Sequence, residues 1–183
     1  MKLTQRQIQH LYLRAGFGER YSKIAEAQGK TSQTLVDEIF ANSETIEQIN
    51  ILEANTNLAG NLKMLSDEVK EAFLKDAISD RMDLNILWVN QMVNSKAFLR
   101  EKMTLFWHDH FASESKNPYF TQVQNNLIRK NALGSFRNLL FAVSKDQVML
   151  KYLNNQQNRK QQPNENFARE VMELFTIGRG NYS

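Results

Sequence analysis

The stretch from Lys96 to Phe111, KAFLREKMTLFWHDHF, decides the fold class. Ser95 stands before it as an N-cap residue, and Leu99, Met103, Phe106 and His110 recur at offsets of four, three and four, one face of a helix. Phe98, Trp107 and Phe111 widen that face into an apolar wall, and Glu101 and Lys102 fall off it, toward solvent. His108 and His110 are two residues apart, so on a regular helix they point about 200° apart and cannot chelate one metal unless the helix has already ended. Helical zinc sites place their histidines four apart, a spacing this chain lacks. His110 reads in two ways. It is either packed on Phe106 and Trp107 with a ring nitrogen satisfied by a neighbouring helix, or it is a ligand, acid or base whose pKa the apolar setting moves. His108 lies at the surface or reaches across to another segment, and Asp109 is placed to orient either imidazole if the helix ends there.

Outward from this helix the same period continues. Toward the N-terminus, Ser66-Asp67-Glu68 opens a long helix with acids in its first turn, running to Val93. Its Ile86-Leu87-Trp88-Val89 cluster is apolar most of the way round, which predicts a C-terminal half central to the core. Ser43 to about Ala54 reads as a helix through Ile46, Ile49 and Leu52, loosening into a loop at Asn55-Thr56-Asn57. Thr4-Gln5-Arg6-Gln7 has the form of a capping box, and Gly16-Phe17-Gly18 ends that first helix with the Phe pinned inward. Short helices from Tyr21 to Gln28, and after Ser32, follow.

Toward the C-terminus, Asn117-Pro118 pairs an N-cap with a proline at the first helical position. Tyr119, Phe120, Val123, Leu127 and Ile128 give that helix its buried side. A helix through Phe136 and another capped by Asp146 come next, then the polar NNQQNRKQQ loop of Asn154 to Gln162. Pro163-Asn164 starts a last helix from Glu165 to Ile177, stopped by Gly178. No run alternates with the period of a strand. The expectation is an all-α fold, eight to ten helices in one bundle-like domain over residues 1–183.

Composition narrows the function classes. There are 183 residues, 42% hydrophobic and 23% charged, values of a globular chain with enough length for a core. Having no cysteine excludes disulfides, thiolate catalysis and cysteine-held metals. The net charge of +3 is spread out, with Arg129-Lys130 and Arg159-Lys160 as the densest basic spots. That is a solvated surface rather than the basic stripe of a nucleic-acid binder. No window approaches a membrane span and the N-terminus has no signal-peptide core, so the default compartment is the cytoplasm.

The last helix carries the second chemical pattern. Glu170 and Glu173 share a face, and Arg169 can pair along the helix with Glu165 and Glu173. Two carboxylates three apart suit a metal or a proton-transfer site, or simply a salt-bridged surface, and the Glu-x-x-His pairs of a two-metal bundle are missing.

Taken together, RAGFG (Arg14 to Gly18), EKMTLFWHDHF (Glu101 to Phe111), the run Phe136 to Leu153 and PNENFAREVMELFTIGRG (Pro163 to Gly180) resemble the bacterial domain of unknown function 1800 family, DUF1800. The resemblance implies longer members, some of them exported, and so a chain that is the N-terminal portion of a larger protein. An apolar face left uncovered near the last helix is then expected, to bind the missing C-terminal half or a second copy. Two functions follow. One is a helical scaffold or interaction segment with no complete active site of its own, since no nucleophile elbow, phosphate loop, HExxH or dinucleotide turn occurs and no cofactor is implied. The other is part of a metal-dependent hydrolase or oxidoreductase site completed downstream, with His108, Asp109, His110 and Glu170 as its catalytic candidates, Arg14 and Arg169 holding an anion, and His108 and His110 as metal ligands.

Overall fold

Capping residues start most of the helices in the computed structural model, which describes residues 2–54, 66–163 and 165–182. Among these residues the order is α1 (Gln5–Ala15), α2 (Tyr21–Glu26), α3 (Ser32–Asn42), α4 (Asp67–Asn94), α5 (Phe98–His110), α6 (Pro118–Asn131), α7 (Phe136–Ser144), α8 (Gln147–Tyr152) and α9 (Asn166–Phe175), with a 3-10 turn at Asn155–Gln157. The fold is all-α. Thr4 and Gln7 close the capping box of α1 reciprocally. Asn117 Oδ1 accepts the Tyr119 amide at 3.0 Å in front of Pro118, and Asp146 Oδ2 accepts the Val148 and Met149 amides at 3.0 and 3.2 Å. The expected loop at Asn55 to Asn57 and the expected cap at Asn164 lie outside the described residues.

Two apolar clusters flank a polar middle. Ile8, Ile24, Ala27 and Leu35 pack α1, α2 and α3 together. Phe111, Ile128, Leu139, Val143, Met149, Leu153 and Phe175 bind the end of α5 to α6, α7, α8 and α9. Between the clusters, α5 and α6 meet through charge. Arg129 Nε and Nη2 donate to the two Glu101 carboxylate oxygens at 2.8 and 3.1 Å, and the residues are 0% and 1% exposed. Arg100 donates to the Ser43 carbonyl at 2.7 Å and to the Arg129 carbonyl at 2.8 Å, tying the end of α3 to the last turn of α6. At that helix end a cation meets the negative pole of the dipole.

This corrects the reading of α5. Glu101 is not solvated but enclosed, and so are Arg100 and Thr104, whereas Phe106 and Leu105 lie exposed. The apolar wall does not point where its period suggested, because the buried ion pair takes the inward positions. Ser95 is not its cap either. The Ser95 amide closes α4 on the Gln91 carbonyl at 2.9 Å, its hydroxyl accepts the Ala97 amide at 3.0 Å, and α5 begins after Ala97. Arg129, read as part of a basic surface spot, is the largest fully buried side chain among the described residues. Phe17 is exposed rather than pinned inward, with the Lys102 ammonium 4.9 Å from its ring centre. Gly16 is the glycine whose place is steric, since a Cβ there would lie 2.5 Å from the Phe98 ring.

Residues 45–54 form no helix. The chain runs past α6 without regular structure, and side-chain amides satisfy its backbone groups. Asn126 accepts from the Ile49 amide at 3.0 Å and donates to the Ile49 carbonyl at 2.8 Å. Gln122 accepts the Ile51 and Leu52 amides at 2.9 and 3.0 Å and donates to the Leu52 carbonyl at 3.0 Å. Gln91 of α4 donates to the Glu47 carbonyl at 2.6 Å. Ile49 drops into the interior while Ile46 and Ile51 stay exposed, so spacing that suggested a helix serves one anchor.

The C-terminal half of α4 is not central to the core. The helix packs by a narrow face that includes Ala77, Leu84 and Trp88, and Ile78, Met82, Ile86, Val89 and Val93 stand exposed on the opposite side. Two opposed apolar faces explain why the sequence looked apolar all round.

Gln122→Leu removes the partners of three backbone groups on the segment 45–54. It should cost about 2–4 kcal/mol of unfolding free energy, read from urea denaturation, because each orphaned group carries a desolvation penalty of about 1–3 kcal/mol. A loss below 0.5 kcal/mol, roughly the level of a neutral surface change, would show that water replaces those bonds.

Candidate functional site

The histidine block sits at the C-terminal end of α5, and the helix continues through His110, so the two rings diverge. His110 packs edge-on to Phe111 and Trp107, at ring distances of 4.8 and 5.6 Å, and is also flanked by Phe175. Its Nε2 lies 2.9 Å from the Phe175 carbonyl, where α9 ends. A carbonyl only accepts, so Nε2 carries the proton there and the ring serves as a clamp between α5 and α9. His108 points the other way. It meets Trp88 of α4 edge-on at 5.1 Å, the second of the two placements the sequence allowed.

Trp88 Nε1 and His108 Nδ1 are both buried and lack hydrogen-bond partners among the described residues. Burial holds His108 below the ordinary imidazole pKa, the nearby Arg129 cation adds to the fall, and Asp109 opposes it. A neutral imidazole is what this contact needs.

The remaining candidates scatter. Asp109 is exposed beside the two histidines, and Arg14 is exposed in the last turn of α1. On α9, Arg169 reaches Glu170 at 3.6 Å and Asn166 Oδ1 at 3.0 Å rather than Glu165 or Glu173. Glu173 instead accepts the Tyr182 hydroxyl. The structure therefore brings Arg169 and Glu170 together and sends His108 and His110 to different neighbours. No group of three or more His, Asp or Glu side chains among the described residues is arranged to hold a metal. A surface groove of about 590 Å³ opens between residues 51–53, the first half of α4 and the start of α6, lined in part by Glu53, Asp76 and Asp80, and none of the candidates lines it.

What sequence reasoning missed is the polar middle itself. Gln122, Asn126 and Arg129 follow one another at offsets of four and three on α6, a helical stripe hidden by the apolar residues beside it. Gln124, on the opposite face of α6, donates to Asp146 Oδ2 at 2.9 Å and so braces the cap of α8. Burial pushes the Asp146 carboxyl up, against the amide bonds that pull it down. A stripe of amides ending in an arginine on a core helix was the available signal. No helix among the described residues is long and apolar enough to cross a membrane.

A family model described as "Protein of unknown function (DUF1800)" matches residues 10–183. The chain matches no curated protein and no solved structure.

His108 generates a pH dependence. Its folded pKa is depressed, so the stability it supports is complete above the unfolded value of about 6.5 and is lost as pH falls through the lower folded value. Urea midpoints measured from pH 7.5 down to 5 should fall for the natural chain and fall less for His108→Phe, which keeps the ring and removes the proton site. Equal slopes would place His108 in water.

Proposed function

Since the chain belongs to the DUF1800 family of proteins of unknown function, we propose a role read from its own surfaces: a helical scaffold and interaction segment with no complete active site of its own. The observation that carries this reading is the use made of its charged and titratable interior. Glu101, Arg129 and Arg100 are spent on each other and on helix ends, Asp146 caps α8, and His110 ties α5 to α9. These groups have geometric work, and none of them lines the groove between residues 51–53, α4 and α6.

The support is chemical as well as spatial. A general base must stand within hydrogen-bond reach of the proton it takes. His110 has its Nε2 occupied by a carbonyl and a ring walled by aromatics. Arg169 and Glu170 partly neutralise one another on α9, as a surface pair does. Interaction then falls to the exposed apolar side chains, which are concentrated on α4, with Leu174 and Ile177 at the end of α9. Such side chains suit a partner that brings an apolar face of its own.

Elemental analysis with metal titration checks this on the chain as it stands and on His108→Ala and His110→Ala. Substoichiometric metal in all three, together with a loss of folding stability of about 1–3 kcal/mol for His110→Ala, is the expected result. One metal per chain that vanishes in either variant would overturn the reading.

A further inference from the structure

Between residues 51–53, the first half of α4 and the start of α6 the chain leaves a groove of about 590 Å³, inside the roughly 300–1,000 Å³ range of small-molecule sites. Its walls are largely apolar. Val69 and Phe73 of α4 line one side, Ile51 and Leu52 another, and Pro118 with Tyr119 the end where α6 begins. Into this apolar setting come three carboxylates, Asp76 and Asp80 from α4 and Glu53 from the segment 45–54. Among the described residues none of the three forms an ion pair. The groove between α1, α2 and α3 is different, since there Lys23 meets Glu26 at 3.2 Å and Lys30 meets Glu38 at 2.7 Å, and charge is already balanced.

We infer that this groove binds a linear aliphatic polyamine, its ammonium groups on Asp76, Asp80 and Glu53 and its methylenes against Val69, Phe73 and Ile51. The inference goes beyond the scaffold reading and involves neither histidine of α5.

The arrangement of the carboxylates selects the class of cation. No group of three or more His, Asp or Glu side chains among the described residues is placed to hold one metal ion, so a ligand that meets all three acids must carry its charges apart. Asp76 and Asp80 are four residues apart, about 6 Å along one side of α4. Ammonium groups joined by four methylenes stand about 6 Å apart in an extended chain. Like charges at that helical spacing repel, and a dication laid along them relieves the repulsion. The apolar walls complete the match. A compact hydrated ion gains nothing from Val69 or Ile51, whereas methylene groups leave water against them. Phe73 and Tyr119, both half-buried, add ring surface that attracts an ammonium group. The chain as a whole carries a net charge of +3, so diffuse attraction does not gather polycations on it and binding reports a local site.

Calorimetric titration of the natural chain with spermidine at about 0.1 M salt tests the inference. One saturable site with a Kd on the order of 100 μM or below is expected. Hexaamminecobalt(III) has the same charge without methylenes and should bind about fivefold more weakly or worse. Asp76→Asn combined with Asp80→Asn should weaken spermidine about tenfold without lowering the melting temperature, because the substitutions also remove a repulsion. Glu53→Gln on the other wall should weaken it about threefold and leaves α4 untouched, so it reads the site independently. Absence of saturable binding, full affinity in these variants, or cobalt hexaammine bound as tightly as spermidine would each overturn the inference. Tri-lysine bound more tightly than spermidine would overturn it too, by giving the groove to a basic peptide. All of these outcomes leave the scaffold reading standing, since that fails on stoichiometric metal at the histidines.

Discussion

One ion pair, Glu101 with Arg129, sets the terms for the rest of the molecule. Two charges taken fully out of water cost several kcal/mol each, and only a complete set of partners offsets that. The set is complete here. Both carboxylate oxygens receive a guanidinium N–H, Gln91 adds a third donor at 3.0 Å, and Arg129 spends its remaining fork on Asn126 at 2.8 Å. Because a forked guanidinium fits a carboxylate in one plane, the pair fixes the register of α5 on α6 more tightly than apolar packing does. Arg100 then ties α3 to the same helix end, and Gln91 ties α4 to the same carboxylate. Four helices and the segment 45–54 converge on a few side chains.

That arrangement accounts for the shape of the core and for where the two histidines of α5 come to rest. The apolar clusters stand on either side of the polar middle, the smaller built from α1, α2 and α3 and the larger from α5 to α9. His110 belongs to the larger cluster's aromatic wall, and His108 to the contact between α5 and α4. Each ring rests against a neighbour on another helix. Among the described residues the outer face of α4 stands exposed, because the polar middle draws that helix in by its other side.

Much of the fold was legible in the sequence because caps are local. Thr4-Gln7, Ser66, Asn117-Pro118, Ser135 and Asp146 start their helices through bonds that reach two or three residues, and a reader of the chain can see both ends of each. The faces were less legible. Apolar periodicity placed Phe106 inward and Glu101 outward, and the structure reverses both, since the partner that makes burial of Glu101 affordable lies 28 residues away on another helix. The same holds for residues 45–54, whose conformation is decided by Gln122 and Asn126 more than 70 residues downstream. Of the candidate site, the opposed directions of His108 and His110 followed from helix geometry. Where each ring came to rest depended on Trp88 and Phe175, which spacing cannot reveal.

The most direct measurement is a double-mutant cycle on the pair, with Glu101→Leu, Arg129→Met and the double variant unfolded in urea. If the pair organises the fold, each single substitution strands a buried charge and should cost about 3–5 kcal/mol, and the double should lose several kcal/mol less than the sum. Single losses near 1 kcal/mol that simply add, at about the typical cost of any point substitution, would mean that α5 and α6 are held by their apolar contacts and that the ion pair is incidental.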